Sequence, residues 1–160
     1  MGTPTNIFIS HYGKHDDYLH RMKDRLYDRG FHVRNYSIDS TNHKGGRIPT
    51  EQVVRRMLRM RMRMSSTVVV LIGPETHTRP WVNWEIEEAH KAGKQIIGVY
   101  MHGCANSVPL PAPLEKYNYG VIGWNSMEKL GSMIEGTASY RENSDGTQRG
   151  AAYDVSYVKC

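Results

Sequence analysis

The sequence has 160 residues, 39% apolar and 23% charged, with a net charge of +5. That length suits one domain able to bury a core without staples, and its two cysteines, Cys104 and Cys160, make neither a disulfide framework nor a metal-ligand spacing. No apolar run reaches the ~18–20 residues of a membrane span, the N-terminal residues carry no signal-like apolar stretch, and the eight histidines show no zinc-binding spacing. The expectation is a cytoplasmic protein with no membrane segment and no metal. The positive charge permits an anionic partner, either nucleic acid or a phosphate-bearing small molecule.

Asn6-Ile7-Phe8-Ile9-Ser10 is apolar, β-branched and aromatic, and predicts a first strand. Asp16 and Asp17 open a helical stretch with Leu19, Met22 and Leu26 at i, i+3 and i+7, which Gly30 stops. Residues 31–37 predict a second strand, and the polar run from Asp39 to Arg47 a loop. Pro49 and Glu51 then begin a helix that reaches about Met64. Within it, Val53, Met57, Met60 and Met64 recur at helical spacing among Arg55, Arg56, Arg59, Arg61 and Arg63. The run resembles a nucleic-acid patch, but the expected reading is a core-facing Met stripe with a solvated Arg face, and no nucleic-acid partner.

Thr67-Val68-Val69-Val70-Leu71-Ile72 is apolar throughout, the mark of a strand buried on both faces, and Gly73-Pro74 breaks it. A helix is predicted from Trp81 to Ala92, ended by Gly93, and a fourth strand from Gln95 to Tyr100. Pro109, Pro111 and Pro113 make His102 to Leu114 a loop. Tyr119 to Gly123 predicts a fifth strand, with Trp124 and Asn125 packing the sheet edge, and Ser126 to Ile134 a last helix stopped by Gly136. The domain is read as residues 1–136, followed by a polar, tyrosine-bearing tail at 137–160.

Strands alternating with helices, and central strands apolar on both faces, specify an α/β fold whose parallel sheet is covered on each side. Five strands predict the flavodoxin-like order 2-1-3-4-5, which binds ligands beyond the carboxyl ends of its strands where the order reverses. Here that point lies beside Ser10-His11-Tyr12. No Gly-x-Gly-x-x-Gly follows the first strand and no P-loop occurs, so Rossmann-style and P-loop phosphate binding lose their sequence support. A phosphorelay receiver needs acids after strand one and an Asp ending strand three; the chain has Ser10-His11-Tyr12 and Ile72-Gly73-Pro74.

In the stretch from Gly73 to Ile86 a strand ends, a polar loop follows, and a helix starts near Trp81. Trp81 and Glu85 are four apart, hence neighbours on one helix face. A carboxylate beside an indole at a cleft mouth can have its ionisation tuned by partial burial. It can also hydrogen-bond ribose hydroxyls and stabilise the oxocarbenium-like charge of a breaking glycosidic bond. Spacing equally admits Glu85, Glu87 and Glu88 as solvated acids in the first turns of a helix. His11 reads either as a base poised near neutrality or as a hydrogen-bonded histidine.

Asn6-Ile7-Phe8-Ile9-Ser10-His11 resembles the first strand of TIR domains, and Trp81-Val82-Asn83-Trp84-Glu85 resembles the TIR motif Trp-Cys-x-x-Glu, with Val82 in place of the usual Cys. The run from Val68 through Gly98 is closer still to the TIR-like proteins of Thoeris anti-phage defence. The resemblance covers about residues 5–135 and implies an enzyme that cleaves the nicotinamide–ribose bond of NAD, taken as substrate and not as a recycled cofactor. The ADP-ribosyl group would be hydrolysed, cyclised or passed to an acceptor, giving a diffusible signal that activates a separate effector protein. Glu85 would be catalytic, with Phe8, Ser10, His11, Tyr12, Trp81 and Ser37 lining the substrate pocket. Self-association is compatible with the family. Two alternatives remain: a non-catalytic TIR adaptor acting by protein contact, and a nucleoside deoxyribosyltransferase-like enzyme using Glu85 as a covalent nucleophile.

Overall fold

The computed structural model describes residues 6–12, 16–36, 50–101 and 108–142. Five strands, β1 (Asn6–Ser10), β2 (His32–Tyr36), β3 (Thr67–Ile72), β4 (Gln95–Tyr100) and β5 (Gly120–Ile122), pair in parallel in the order β2-β1-β3-β4-β5. Helices α1 (Asp16–Asp28), α2 (Glu51–Arg63), α3 (Pro80–Lys91), α4 (Ala112–Tyr117) and α5 (Leu130–Ile134) connect and cover them. Gly30, Gly93 and Gly136 follow α1, α3 and α5 at positive φ, the backbone state that ends a helix most cheaply with glycine.

Side chains alternate across each strand, so the apolar strands feed two cores. Ile7, Ile9, Val69, Leu71, Ile97 and Val99 face α1 and α5. Phe8, Val68, Val70, Ile72, Ile96 and Tyr100 face α2, α3 and α4. Gly98 in β4 has no side chain to spare: a Cβ there would lie 3.0 Å from Ile72 and 3.1 Å from Leu114.

Three expectations are corrected. The Met stripe of α2 is not in the core: Val54, Leu58 and Met62 are buried, whereas Val53, Met57, Met60 and Met64 are exposed. Both lines have helical spacing, and the neighbouring helix decides between them. Burying Val54, Leu58 and Met62 turns Arg55 over Trp81 and Trp84, at 5.7 and 5.5 Å, and Arg59 over Trp84 at 5.4 Å, with Glu88 3.4 Å from Arg59. The Thr50 side chain accepts the Val53 N–H and caps the helix ahead of Glu51. Second, the proline-rich loop ends in a helix. Pro111 caps α4 and Pro113 sits in its first turn, where an absent N–H leaves no bond unmade, and Leu114 anchors it in the core. Third, the last helix is split: residues Trp124–Lys129 form a 3-10 segment that kinks at Ser126 before α5.

Beyond α5 the chain returns to the sheet. Val121 N–H donates to Tyr140 O and Glu142 N–H to Val121 O, each 2.8 Å, adding a short parallel bridge at the β5 edge. The buried Glu142 carboxylate accepts from Gly123 N–H at 2.9 Å and from Lys129 Nζ at 2.6 Å. Burial pushes this carboxyl up. The bonds from Lys129, Gly123 and Ser126 and the Lys129 charge outweigh it and hold the group below the usual glutamate range. Gly120 makes the approach possible, since a Cβ there would sit 2.7 Å from Tyr140 O and overlap the Met133 methyl.

Gly120→Ala should therefore destabilise the protein by roughly 1–3 kcal/mol through overpacking, read as a lower urea midpoint; an unchanged midpoint would mean the strap is not held there. A carboxyl with a depressed value stabilises the fold above its unfolded range and loses that contribution as pH falls through the folded value. Stability of the wild type should thus drop below about pH 4 more steeply than that of Glu142→Gln. Parallel pH profiles of the two would show that Glu142 carries no linked proton.

Candidate active site

Ser10 is the last residue of β1 and pairs with Val70 of the neighbouring β3, at the carboxyl edge of the sheet. Its hydroxyl donates to Glu85 Oε1 at 2.9 Å. Glu85 comes from the second turn of α3 and, with Val82, Ile86 and Ala89, forms the face of that helix turned to the sheet. It has no exposed surface. Carboxylates are almost never fully buried without hydrogen-bond donors, since desolvation disfavours the charge. Glu85 is thus not one of the solvated acids that its spacing also allowed. No acid lies in the first turn of α3.

The loop between β3 and α3 is braced from within. Thr76, buried, accepts the Gly73 N–H at 2.8 Å, and Asn83 Nδ2 donates to His77 O at 3.2 Å, tying the helix back to the loop. Residues 76–78 form a single 3-10 turn, and Pro80 starts α3. Arg79 reaches across to the first loop: its guanidinium lies 4.1 Å from the Tyr12 ring while one nitrogen pairs with Glu75 at 3.2 Å. Tyr12 is half-buried and His11 buried. The neighbouring strands β1 and β3 are therefore tied together at their carboxyl ends twice, by Ser10 of β1 bonding Glu85 of α3 and by Arg79 over the ring of Tyr12.

Of the residues expected to form the site, the structure brings Ser10 and Glu85 into direct contact and sets His11 and Tyr12 immediately after β1. Trp81 stands one turn before Glu85, half-buried, with its ring edge-on to Trp84 at 5.5 Å and under Arg55. Phe8 lies in the core under α2 and α3, two residues before Ser10 on the same strand face. Ser37 lies outside the described residues. Thr76 and Arg79 went unnoticed in the sequence, although Glu75 and Arg79 have the i, i+4 spacing of an ion pair and a Thr three residues after Gly73 suits a side-chain-closed turn.

Removing the Ser10 hydroxyl leaves a buried acceptor short of a donor, a loss of about 1–3 kcal/mol. Ser10→Ala should lower the unfolding midpoint accordingly. No loss of stability would indicate that the carboxylate does not depend on this bond.

A family model described as Thoeris protein ThsB, TIR-like domain, matches residues 8–106, which contain both Ser10 and Glu85. No curated protein matches the chain. Among solved structures, the TIR domains of the activated Roq1 resistosome directly recognizing the pathogen effector XopQ are similar at 17% identity with a TM-score of 0.44. The similarity covers 71% of this chain, which spans 64% of that one. No helix among the described residues is long and apolar enough to cross a membrane.

Proposed function

The chain belongs to the Thoeris ThsB TIR-like family, and from that premise we propose that it cleaves the nicotinamide–ribose bond of NAD with Glu85 as the catalytic carboxylate. Family membership gives a TIR-type role in defence signalling. The bond chemistry rests on Glu85 itself: a carboxylate wholly withdrawn from water at the carboxyl edge of the sheet, held by Ser10, is a costly arrangement that a purely structural helix does not need.

The reaction suits a lone acid. When the nicotinamide–ribose bond breaks, the bonding pair goes to the pyridinium nitrogen and nicotinamide departs neutral. No proton has to be delivered to the leaving group, so the general acid that ordinary glycosidases carry as a second carboxyl is unnecessary. What the transition state does need is a fixed negative charge beside the ribose as positive charge develops on its anomeric carbon. In this reading Ser10 fixes Glu85 Oε1, Trp81 and the ring of Tyr12 wall the approach, and the Arg79 guanidinium offers a cation for a phosphate. The ADP-ribosyl group is then captured by water, by a nucleophile of its own or by an acceptor, and the product acts on a separate effector protein. NAD is consumed, so no cofactor is recycled.

The test is NAD turnover by purified protein, alone and with extract from phage-infected cells, followed by mass spectrometry of nicotinamide and ADP-ribose derivatives. Glu85→Gln should lower turnover by at least ~100-fold, the size of loss typical for a preorganised electrostatic group, with an unchanged circular dichroism spectrum. Full turnover by folded Glu85→Gln would remove Glu85 from the mechanism. A wild type that signals in cells yet consumes no NAD under any of these conditions would make the chain an adaptor.

A further inference from the structure

Five large apolar side chains are exposed among the described residues, and four of them, Val53, Met57, Met60 and Met64, lie along α2, each 38–57% exposed. Positions i, i+4, i+7 and i+11 stack on one flank of a helix, and at ~1.5 Å per residue the line is roughly 16 Å long. Scattered exposed apolar residues need no explanation, but a contiguous line does. The fold has no use for this one: the opposite flank of α2 supplies Val54, Leu58 and Met62 to the core.

The arginines divide in the same way. Arg55 is paired with Glu51 and Arg59 with Glu88, and both lie over tryptophans of α3. Arg56 and Arg63, on the outer side of the helix next to the apolar line, have no carboxylate partner among the described residues. The exposed flank is therefore an apolar ridge with two uncommitted guanidinium groups along its rim.

We propose that this flank of α2 docks an acidic amphipathic helix of another protein. A straight convex ridge one helix long is the shape that a second helix accepts between its own ridges, and methionines adapt to the facing surface. Charge selects the partner. A second copy meeting along the same line would set Arg56 and Arg63 against their duplicates, in a chain already at +5, whereas Asp or Glu flanking a partner's apolar stripe supplies the missing counter-charges. A lipid surface takes a broad apolar face with aromatic or leucine side chains. This line is one residue wide, without aromatics, on a helix whose other face is fixed in the core.

The probe is a labelled 18-residue helical peptide with leucines on one face and glutamates elsewhere, titrated against the whole protein by fluorescence anisotropy, with a lysine-for-glutamate peptide as control. The acidic peptide should bind with a Kd on the order of 100 μM or tighter, and the basic one should not. Met57→Gln/Met60→Gln/Met64→Gln, which keeps every charge and changes only exposed positions, should weaken binding at least tenfold with the unfolding midpoint retained. Arg56→Glu/Arg63→Glu should exchange the preference toward the basic peptide. Equal binding by the triple Gln variant would reduce the effect to net charge and overturn the proposal. So would no binding at millimolar peptide, or co-sedimentation with phosphatidylcholine–phosphatidylserine vesicles that the triple variant abolishes. Concentration-dependent dimerisation that the triple variant abolishes would assign the ridge to a second copy instead.

Discussion

A carboxylate taken out of water must be held by donors or it destabilises whatever carries it. The Ser10–Glu85 hydrogen bond meets that requirement by joining two elements that the chain separates widely: the end of β1 and the second turn of α3. Much of the surrounding architecture serves this contact. β1 lies between β2 and β3, so Ser10 is fixed by the sheet, and Pro80 together with the Thr76 and Asn83 bonds fixes where α3 begins. With both ends held in this way Glu85 has little freedom left, the property that the proposed reaction calls for.

The two helical layers treat their charges differently. Near α3 the arginines of α2 are absorbed into the fold, Arg55 over Trp81 and Trp84 and paired with Glu51, Arg59 over Trp84 and paired with Glu88. Along the other flank Arg56 and Arg63 have no carboxylate partner among the described residues, and the methionines are uncovered. Interior packing and the proposed surface recognition thus share one helix, and α2 with its C-cap Met64 carries two apolar lines for two purposes. Loss of either line would have distinct effects: the buried one is a matter of stability, the exposed one of association.

The sheet was legible because strands announce themselves locally. β3 and β4 are apolar runs bounded by Gly-Pro or by Gly and a loop, and alternating with helices they leave few orders open. The start of α3 and its Trp81–Glu85 pair were legible for the same reason, being a matter of four residues of spacing. What could not be read was anything decided by a distant partner. The buried face of α2 depends on the tryptophans of α3, since both of its apolar lines satisfy the same period. α4 was hidden because prolines that forbid the interior of a helix are permitted in its first turn. The strap at residues 139–142 needs Gly120 to have no side chain and Gly123 to offer an N–H, conditions invisible in a polar segment. Ser10 and Glu85, 75 residues apart, were both legible, one as pocket lining and the other as the catalytic carboxylate, but that the hydroxyl holds the carboxylate is a fact of the fold alone.

Among the described residues two glutamates are buried, Glu85 and Glu142, and different donors hold them. Glu142 is bonded to Lys129, and the positive charge that lowers its carboxyl value also cancels its negative charge. It fastens a strap and has nothing left to offer a ligand. At Glu85 the donor from β1 is a neutral hydroxyl. A hydroxyl orients a carboxylate without bringing a charge of its own, the kind of hold that the proposed reaction calls for. The proposed reaction thus leans on Glu85, held by a serine hydroxyl, while the strap leans on Glu142, held by a lysine and a backbone N–H.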